Sequence, residues 1–285
     1  MILATNDVKT AFNKVNEYAM INVFLRGERM NSIFLTDRGQ VRSHNEDAGG
    51  IYYNTDKQVL AIIADGMGGH QAGDVASQMA ATEMQKKWEN SDKLTSPEDT
   101  EKWLYHAIEE INESIYEHAL RHEECQGMGT TLVIAVCLDD FITIAHIGDS
   151  RCYLFSEEGF KQVTEDHSLV NALVQSGQIS KTDAHHHPRK NVVLKALGTE
   201  KRVIPDVKTL SHDKESKILL CSDGLTDKVL DDELATIIQS EKAMSDMAQA
   251  LIDLANERGG EDNISLILIH HVGQDPLLEE GENAC

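Results

Sequence analysis

Short apolar runs rich in β-branched residues recur along this chain, and most of them meet an aspartate or a glycine at one end. They are 58–65 (QVLAIIAD), 130–138 (TTLVIAVCL), 141–148 (FITIAHIG), 151–155 (RCYLF), 217–223 (KILLCSD) and 263–271 (NISLILIHH). Runs of this length, bounded by Gly, Asp or Ser, read as strands. Only Asp139 and Asp140 separate the second run from the third, the length of a two-residue hairpin turn, so largely antiparallel sheets are expected. Between the first two runs lie two helical patterns. Residues 72–90 space Ala76, Met79, Ala80, Met84 and Trp88 along one face, and 100–122 do the same with Leu104, Ala107, Ile108, Ile111, Ile115 and Ala119. A third amphipathic segment, 245–258, precedes the last run. Strands, adjacent helices and further strands make an α+β chain with helices layered outside a strand core.

The aspartates at the ends of these runs narrow the function. Asp65 and Asp223 each close a run and meet a glycine, Asp149 follows TIAHIG, and Asp262 opens the last run. Glu46 and Asp47 follow Arg42 in RSHNED. Singly, an Asp-Gly pair is an ordinary turn. Jointly, carboxylates converging at one end of a sandwich would repel one another unless a cation sat among them. Hard oxygen ligands favour Mg²⁺ or Mn²⁺ over zinc, and no His or Cys pair has zinc-like spacing. The glycine-rich stretch 64–77 (ADGMGGHQAGDVAS) opens a helix, but it lacks the Lys and Ser/Thr of a nucleotide loop at their expected places. A formal net charge of −22 argues against nucleic acid and anionic membrane as partners. The five cysteines form no C-x-x-C pair and read as reduced and cytosolic. No run approaches the roughly 18 apolar residues of a membrane span, and charges scattered through residues 1–25 leave no signal peptide. A soluble cytoplasmic protein is expected.

In order, the segments TDRGQVRSHNED, ADGMGGHQAGDVAS, GMGTT, AHIGDSR, QVTEDHS, LLCSDGLTD and GGEDNIS resemble the motifs of the metal-dependent protein phosphatases (type 2C, PPM) across about residues 32–271. The resemblance is greatest to the stand-alone enzymes of Gram-positive bacteria that oppose membrane-anchored, eukaryotic-like Ser/Thr kinases. It implies a four-layer α-β-β-α sandwich, two antiparallel sheets flanked by helix pairs. It also implies hydrolysis of phosphoserine and phosphothreonine proteins by direct attack of a metal-bridging hydroxide, with two Mn²⁺ or Mg²⁺ ions per chain. By the same resemblance Asp65, Asp223 and Asp262 ligate the metals, with Gly66 through its carbonyl. Glu46 and Asp47 act through bound waters, Asp149 holds a third, weaker metal, Arg42 clamps the phosphate and His70 is the general acid. Thr130 and Thr131 support the site, and His146 is a core histidine. A small-metabolite phosphatase and a catalytically silent scaffold of the same fold are the alternatives.

Three segments complete the expected organisation. The catalytic domain covers 30–272, acting as a monomer. Within it the polar, histidine-dotted stretch 165–198 is a sub-domain inserted between strands, matching the flap of bacterial members. The tail 273–285 is acidic and frayed. Residues 1–29 precede the resemblance, and translation is expected to start at Met30, because Gly27-Glu28 would be encoded by a purine-rich sequence suited to ribosome binding. The alternative is a genuine N-terminal helix across 8–25. Intact mass of the native protein is expected to begin at Met30; a chain still carrying Met1 or Ile2 would refute this start.

Overall fold

The computed structural model describes residues 18–24, 29–68, 72–211 and 215–272 of the chain. Two antiparallel sheets stand face to face. The first has the order β1 (Tyr18–Phe24), β2 (Arg29–Asp37), β12 (Ile264–Val272), β11 (Lys217–Cys221), β8 (Arg151–Ser156) and β9 (Gly159–Gln162). The second runs β10 (Asp206–Ser211), β7 (Phe141–Ile147), β6 (Leu132–Cys137), β4 (Val59–Met67) and β3 (Asp47–Tyr53), with the short β5 (Gly129–Thr130) on the end of β4. Helices α1 (Ala72–Glu89) and α2 (Pro97–Arg121) cover the second sheet. Helices α5 (Asp223–Thr226), α6 (Asp231–Ile238) and α7 (Met244–Glu257) cover the first. This is the four-layer arrangement expected.

The layers explain why the strands read as nearly unbroken apolar runs. Along β4, Leu60, Ile62 and Ala64 join the cluster under α1 and α2, while Val59, Ala61 and Ile63 join the cluster between the sheets. On β12, Leu266 and Leu268 face α7, and Ile267 and Ile269 face the opposite sheet. Successive side chains point to opposite faces, and both faces here are buried, so no polar residue alternates. On the α1 side, small residues such as Ala76 and Ala80 lie fully buried in the cluster. Trp88 fills the far end, its Nε1–H shared between the carbonyls of Tyr52 (3.2 Å) and Gln58 (3.3 Å).

Helix α2 starts three residues before its apolar spacing does. Ser96 caps it, accepting from the Asp99 amide at 3.2 Å, and Pro97 occupies its first turn. The β6–β7 hairpin turns at Asp139 and Asp140, with the Leu138 amide donating to the Phe141 carbonyl at 3.0 Å. Strands β2, β3, β9 and β10 carry no clear apolar run. In β3 (DAGGIYY) two glycines mimic a turn, yet a Cβ on Gly49 would stand 2.5 Å from the Ile62 carbonyl of β4, so close strand packing demands glycine there. The inserted flap lies between β9 and β10 and carries α3 (Leu169–Gln175) and α4 (Lys181–His185).

At the N-terminus, Tyr18–Phe24 pairs antiparallel with β2, which corrects the helix alternative for that part of 8–25. The rest of residues 1–17 and the tail 273–285 lie outside the described residues. Among the described residues, no helix is long and apolar enough to cross a membrane.

Candidate metal centre

Antiparallel pairing brings the acidic ends of the strands together. Asp47 opens β3 directly opposite Asp65 near the end of β4. The end of β11 lies between the start of β8 (Cys221 opposite Arg151) and the start of β12 (Cys221 opposite Leu266). Asp149, Asp223 and Asp262 therefore emerge at one end of the first sheet, and the packing of the sheets sets that end against Asp47 and Asp65. Glu46, Asp47, Asp65 and Asp223 all feel the charge of Asp262. Arg42 reaches the same place from the β2–β3 loop, its Nη2 donating to Asp262 Oδ2 at 2.7 Å and its Nη1 lying 3.7 Å from Glu46. Its carboxylate partners are thus Asp262 and Glu46.

A polar frame holds the acids in place. Ser222 Oγ donates to Asp47 Oδ2 at 2.8 Å and accepts from the Ser265 amide at 3.0 Å. The Asp65 carbonyl accepts from the Thr131 amide and from Thr130 Oγ1, both at 2.9 Å, and its own amide donates to Thr131 Oγ1 at 3.0 Å. Thr131 Oγ1 also meets Ser150 Oγ at 2.7 Å, which ties the Asp149 turn to β4. The two threonines support the site, as expected. Asn263 knits the Arg42 loop to β12: its Oδ1 accepts from the Glu46 amide, and its Nδ2 donates to the carbonyls of Arg38 and His44. Gly66 has a reason beyond access to an ion. A Cβ there would lie 2.2 Å from the Gly73 carbonyl and 2.7 Å from the Glu46 carbonyl, so the start of α1 could not pack.

Electrostatics test whether these residues suit a cation. Burial pushes Asp47 up to about 6, against the opposing hydrogen bonds of Ser265 and Ser222. Burial, aided by the charge of Asp166, likewise pushes Asp149 up to about 6. Asp65 and Asp223 are driven well above the usual carboxylate range, first by burial and then by neighbouring aspartates. Asp47 Oδ1 and Asp223 Oδ1 are buried without a hydrogen-bond partner. Orphaned carboxylate oxygens among like charges lack only a hard divalent cation, which would satisfy both deficits. The donor set fits.

Away from these acids, His146, His167 and Asp206 gather ligand atoms within 4.8 Å. Its two rings stack 4.7 Å apart and 10° from parallel, so one cation cannot lie in both ring planes. His146 is instead a satisfied core histidine, with Nε2 at 2.9 Å from the Glu165 carbonyl.

The sequence profile of the family described as protein phosphatase 2C matches residues 37–268. The chain belongs to the protein phosphatase 2C family. It is 45% identical over 255 residues to the serine/threonine phosphatase stp of Listeria innocua, covering 90% of this chain and all of the relative. The crystal structure of the serine/threonine phosphatase Stp1 from Staphylococcus aureus is 39% identical with a TM-score of 0.81, over 88% of this chain and 97% of that one. The catalytic domain of the phosphatase PstP, solved in complex with two manganese ions, is 31% identical with a TM-score of 0.75, over 85% and 98%. The metal-binding character and the phosphatase activity read from the motifs agree with these relatives.

Two features of this phosphatase escaped the sequence. Asp227 lies near enough to raise Asp223, and its position one helical turn on was the available signal. The supporting roles of Asn263, Ser222 and Ser265 carry no signal outside three dimensions. The expectation for His70 falls on residues 69–71, outside the described residues.

Replacing Asp65 or Asp223 by Asn keeps volume and removes an anion, so each variant is expected to lose Mn²⁺-dependent turnover while chelated protein gains thermal stability. Near wild-type Mn²⁺-dependent activity in either would defeat the assignment. The raised groups also set a pH dependence. Stability held by protonated Asp47 and Asp149 is complete below about pH 4 and is lost as pH rises through about 6. The melting temperature of EDTA-treated protein should therefore fall behind that of Mn²⁺-loaded protein across this window. Parallel curves would count against a charge-crowded site.

Proposed function

We propose that this phosphatase hydrolyses phosphoserine and phosphothreonine on proteins, opposing a eukaryotic-like, membrane-anchored Ser/Thr kinase from the cytoplasm as a monomer. The observation that carries the reading is the convergence of Asp47, Asp65, Asp149, Asp223 and Asp262 around orphaned carboxylate oxygens. The names of the relatives supply the substrate class.

In this reading Asp65, Asp223 and Asp262, with the Gly66 carbonyl, hold two Mn²⁺ or Mg²⁺ ions, and Asp149 holds a third more weakly. When bound, such a pair acidifies water and neutralises charge on the phosphoryl oxygens. Glu46 and Asp47 would act mainly through metal-bound waters. Arg42, 45% exposed and bonded to Asp262, would clamp the phosphate, since its planar fork matches two phosphoryl oxygens. His70 protonates the departing serine or threonine oxygen. A cysteine nucleophile is not needed. The four described thiols are buried, and burial pushes Cys137 and Cys221 up to about 12, so a thiolate does not form near neutrality.

Purified protein is expected to turn over phosphopeptides and p-nitrophenyl phosphate with Mn²⁺, to stop with EDTA, and to prefer phosphopeptides over sugar phosphates. His70→Ala should slow a phosphothreonine peptide by about 10²–10⁴-fold, the usual worth of general acid catalysis. It should cost little on p-nitrophenyl phosphate, whose leaving group departs without a proton. Equal slowing of both substrates would remove His70 from that role, and faster turnover of sugar phosphates would favour a metabolite phosphatase.

A further inference from the structure

A cavity of about 580 Å³ opens beside the metal centre, between the flap and the β11–α6 corner. Asp149 and Asp223 are part of its lining, so it is continuous with the aspartate cluster. Val170 and Val174 of α3 and Leu230, 57% exposed, give it an apolar wall. Its charged lining is unbalanced. Arg151 is held by Asp166, with Nε at 3.0 Å from both carboxylate oxygens and Nη2 at 2.7 Å from Oδ2. Lys190 is paired with Asp227. Glu165, Asp231 and Asp232 remain, facing Lys181 as the one lining cation without a carboxylate partner among the described residues. Glu165 and Asp231 bond only neutral donors, Gln175 Nε2 and the Tyr153 hydroxyl, which leave their charge in place.

Acids are common in the first turn of a helix, and Asp231 and Asp232 open α6. That role is already filled. Glu233 caps the helix by accepting from the Leu230 amide at 3.0 Å, and Arg258 engages its carboxylate. The carboxylates turned to the cavity are in surplus.

We infer that this cavity receives a lysine or arginine side chain of the phosphoprotein, close in sequence to the phosphorylated residue. The inference rests on the phosphoprotein reading above and specifies its substrate class. A long basic side chain lays its methylene stem on apolar surface and keeps its charged head among polar groups. Here the stem meets Val170, Val174 and Leu230, and the head meets Glu165 and Asp232. An extended chain advances about 3.3–3.6 Å per residue, so a residue a few positions from the phosphate can reach in from the metal centre. Charge complementarity of this kind selects among partners more than it adds affinity.

The test uses Mn²⁺-loaded full-length protein and phosphothreonine peptides of one core sequence. Each of about four positions on either side is occupied in turn by Ala, Arg or Glu, and rates are normalised to p-nitrophenyl phosphate turnover of the same preparation. At one or more positions Arg should raise kcat/KM over Ala by roughly threefold to tenfold, mainly through KM, and Glu should lower it. The preference should shrink at high salt. Both side chains to be changed are exposed, so the variants should fold. The Glu165→Gln, Asp232→Asn double variant should lose the discrimination, and Glu165→Lys, Asp232→Lys should reverse it. Equal rates for the Arg, Ala and Glu peptides, or a preference that survives in the double variants, would overturn the inference. Failure of the wild type on every phosphopeptide, with p-nitrophenyl phosphate still consumed, would instead remove the phosphoprotein reading beneath it.

Discussion

Like charges gathered at one end of two packed sheets set the terms for the rest of this structure. Burial raises Asp65 and Asp223, and Asp47, Asp149 and Asp262 raise both further, because burial removes the water that would otherwise screen these charges. A fold that held these groups without a cation would give up stability for no gain. The surrounding construction is rigid in consequence. Thr130, Thr131, Ser150, Ser222 and Asn263 fix backbone and carboxylate positions by hydrogen bonds, and they leave Asp47 Oδ1 and Asp223 Oδ1 without a partner. Catalysis by positioned metals depends on such a frame, since donor placement has to precede the reaction.

The sandwich supplies what the acids require. Strands buried on both faces anchor the site from below, with three apolar clusters stacked through the layers. The residues with chemistry sit at strand ends and in the turns beyond them, where side chains can face solvent and substrate without interrupting a ladder. Glycine serves the same end at close contacts. A Cβ on Gly224 would stand 2.0 Å from the Asn263 carbonyl, so the Asp223 turn can lie against the Asp262 turn only with glycine there.

The flap extends this logic outward. Arg151, two residues after Asp149, binds Asp166 at the flap root and, through the Tyr153 hydroxyl, is linked to Asp231 of α6. One largely buried guanidinium thus ties the Asp149 turn, the flap and the corner helix together, and these three bound the cavity beside the aspartate cluster. Removing one partner from so buried a pair would leave an unpaired charge, which is why the contact positions the flap firmly.

Much of this was legible in the sequence. The apolar runs of β4, β6, β7, β8, β11 and β12, the helices α1, α2 and α7, and the Asp139-Asp140 turn follow from local pattern, because burial on defined faces imposes a period. The acids and Arg42 were visible as a set, since strand-end carboxylates have a regular place in an alternating chain. Tertiary structure alone decided the remainder. Strands β3 and β10 form because neighbours demand them, one through glycine packing against β4 and the other as an edge beside β7. Residues 18–24 became a strand where amphipathic spacing allowed a helix, because β2 offered an open edge. Asn263 and Ser222 are ordinary polar residues until sheet pairing sets them against loops distant in sequence. The bond from Arg42 to Asp262, and the charge imbalance of the flap cavity, depend on distances between segments far apart in the chain. Periodicity records what each residue must face. It holds no record of which remote residue it will meet there.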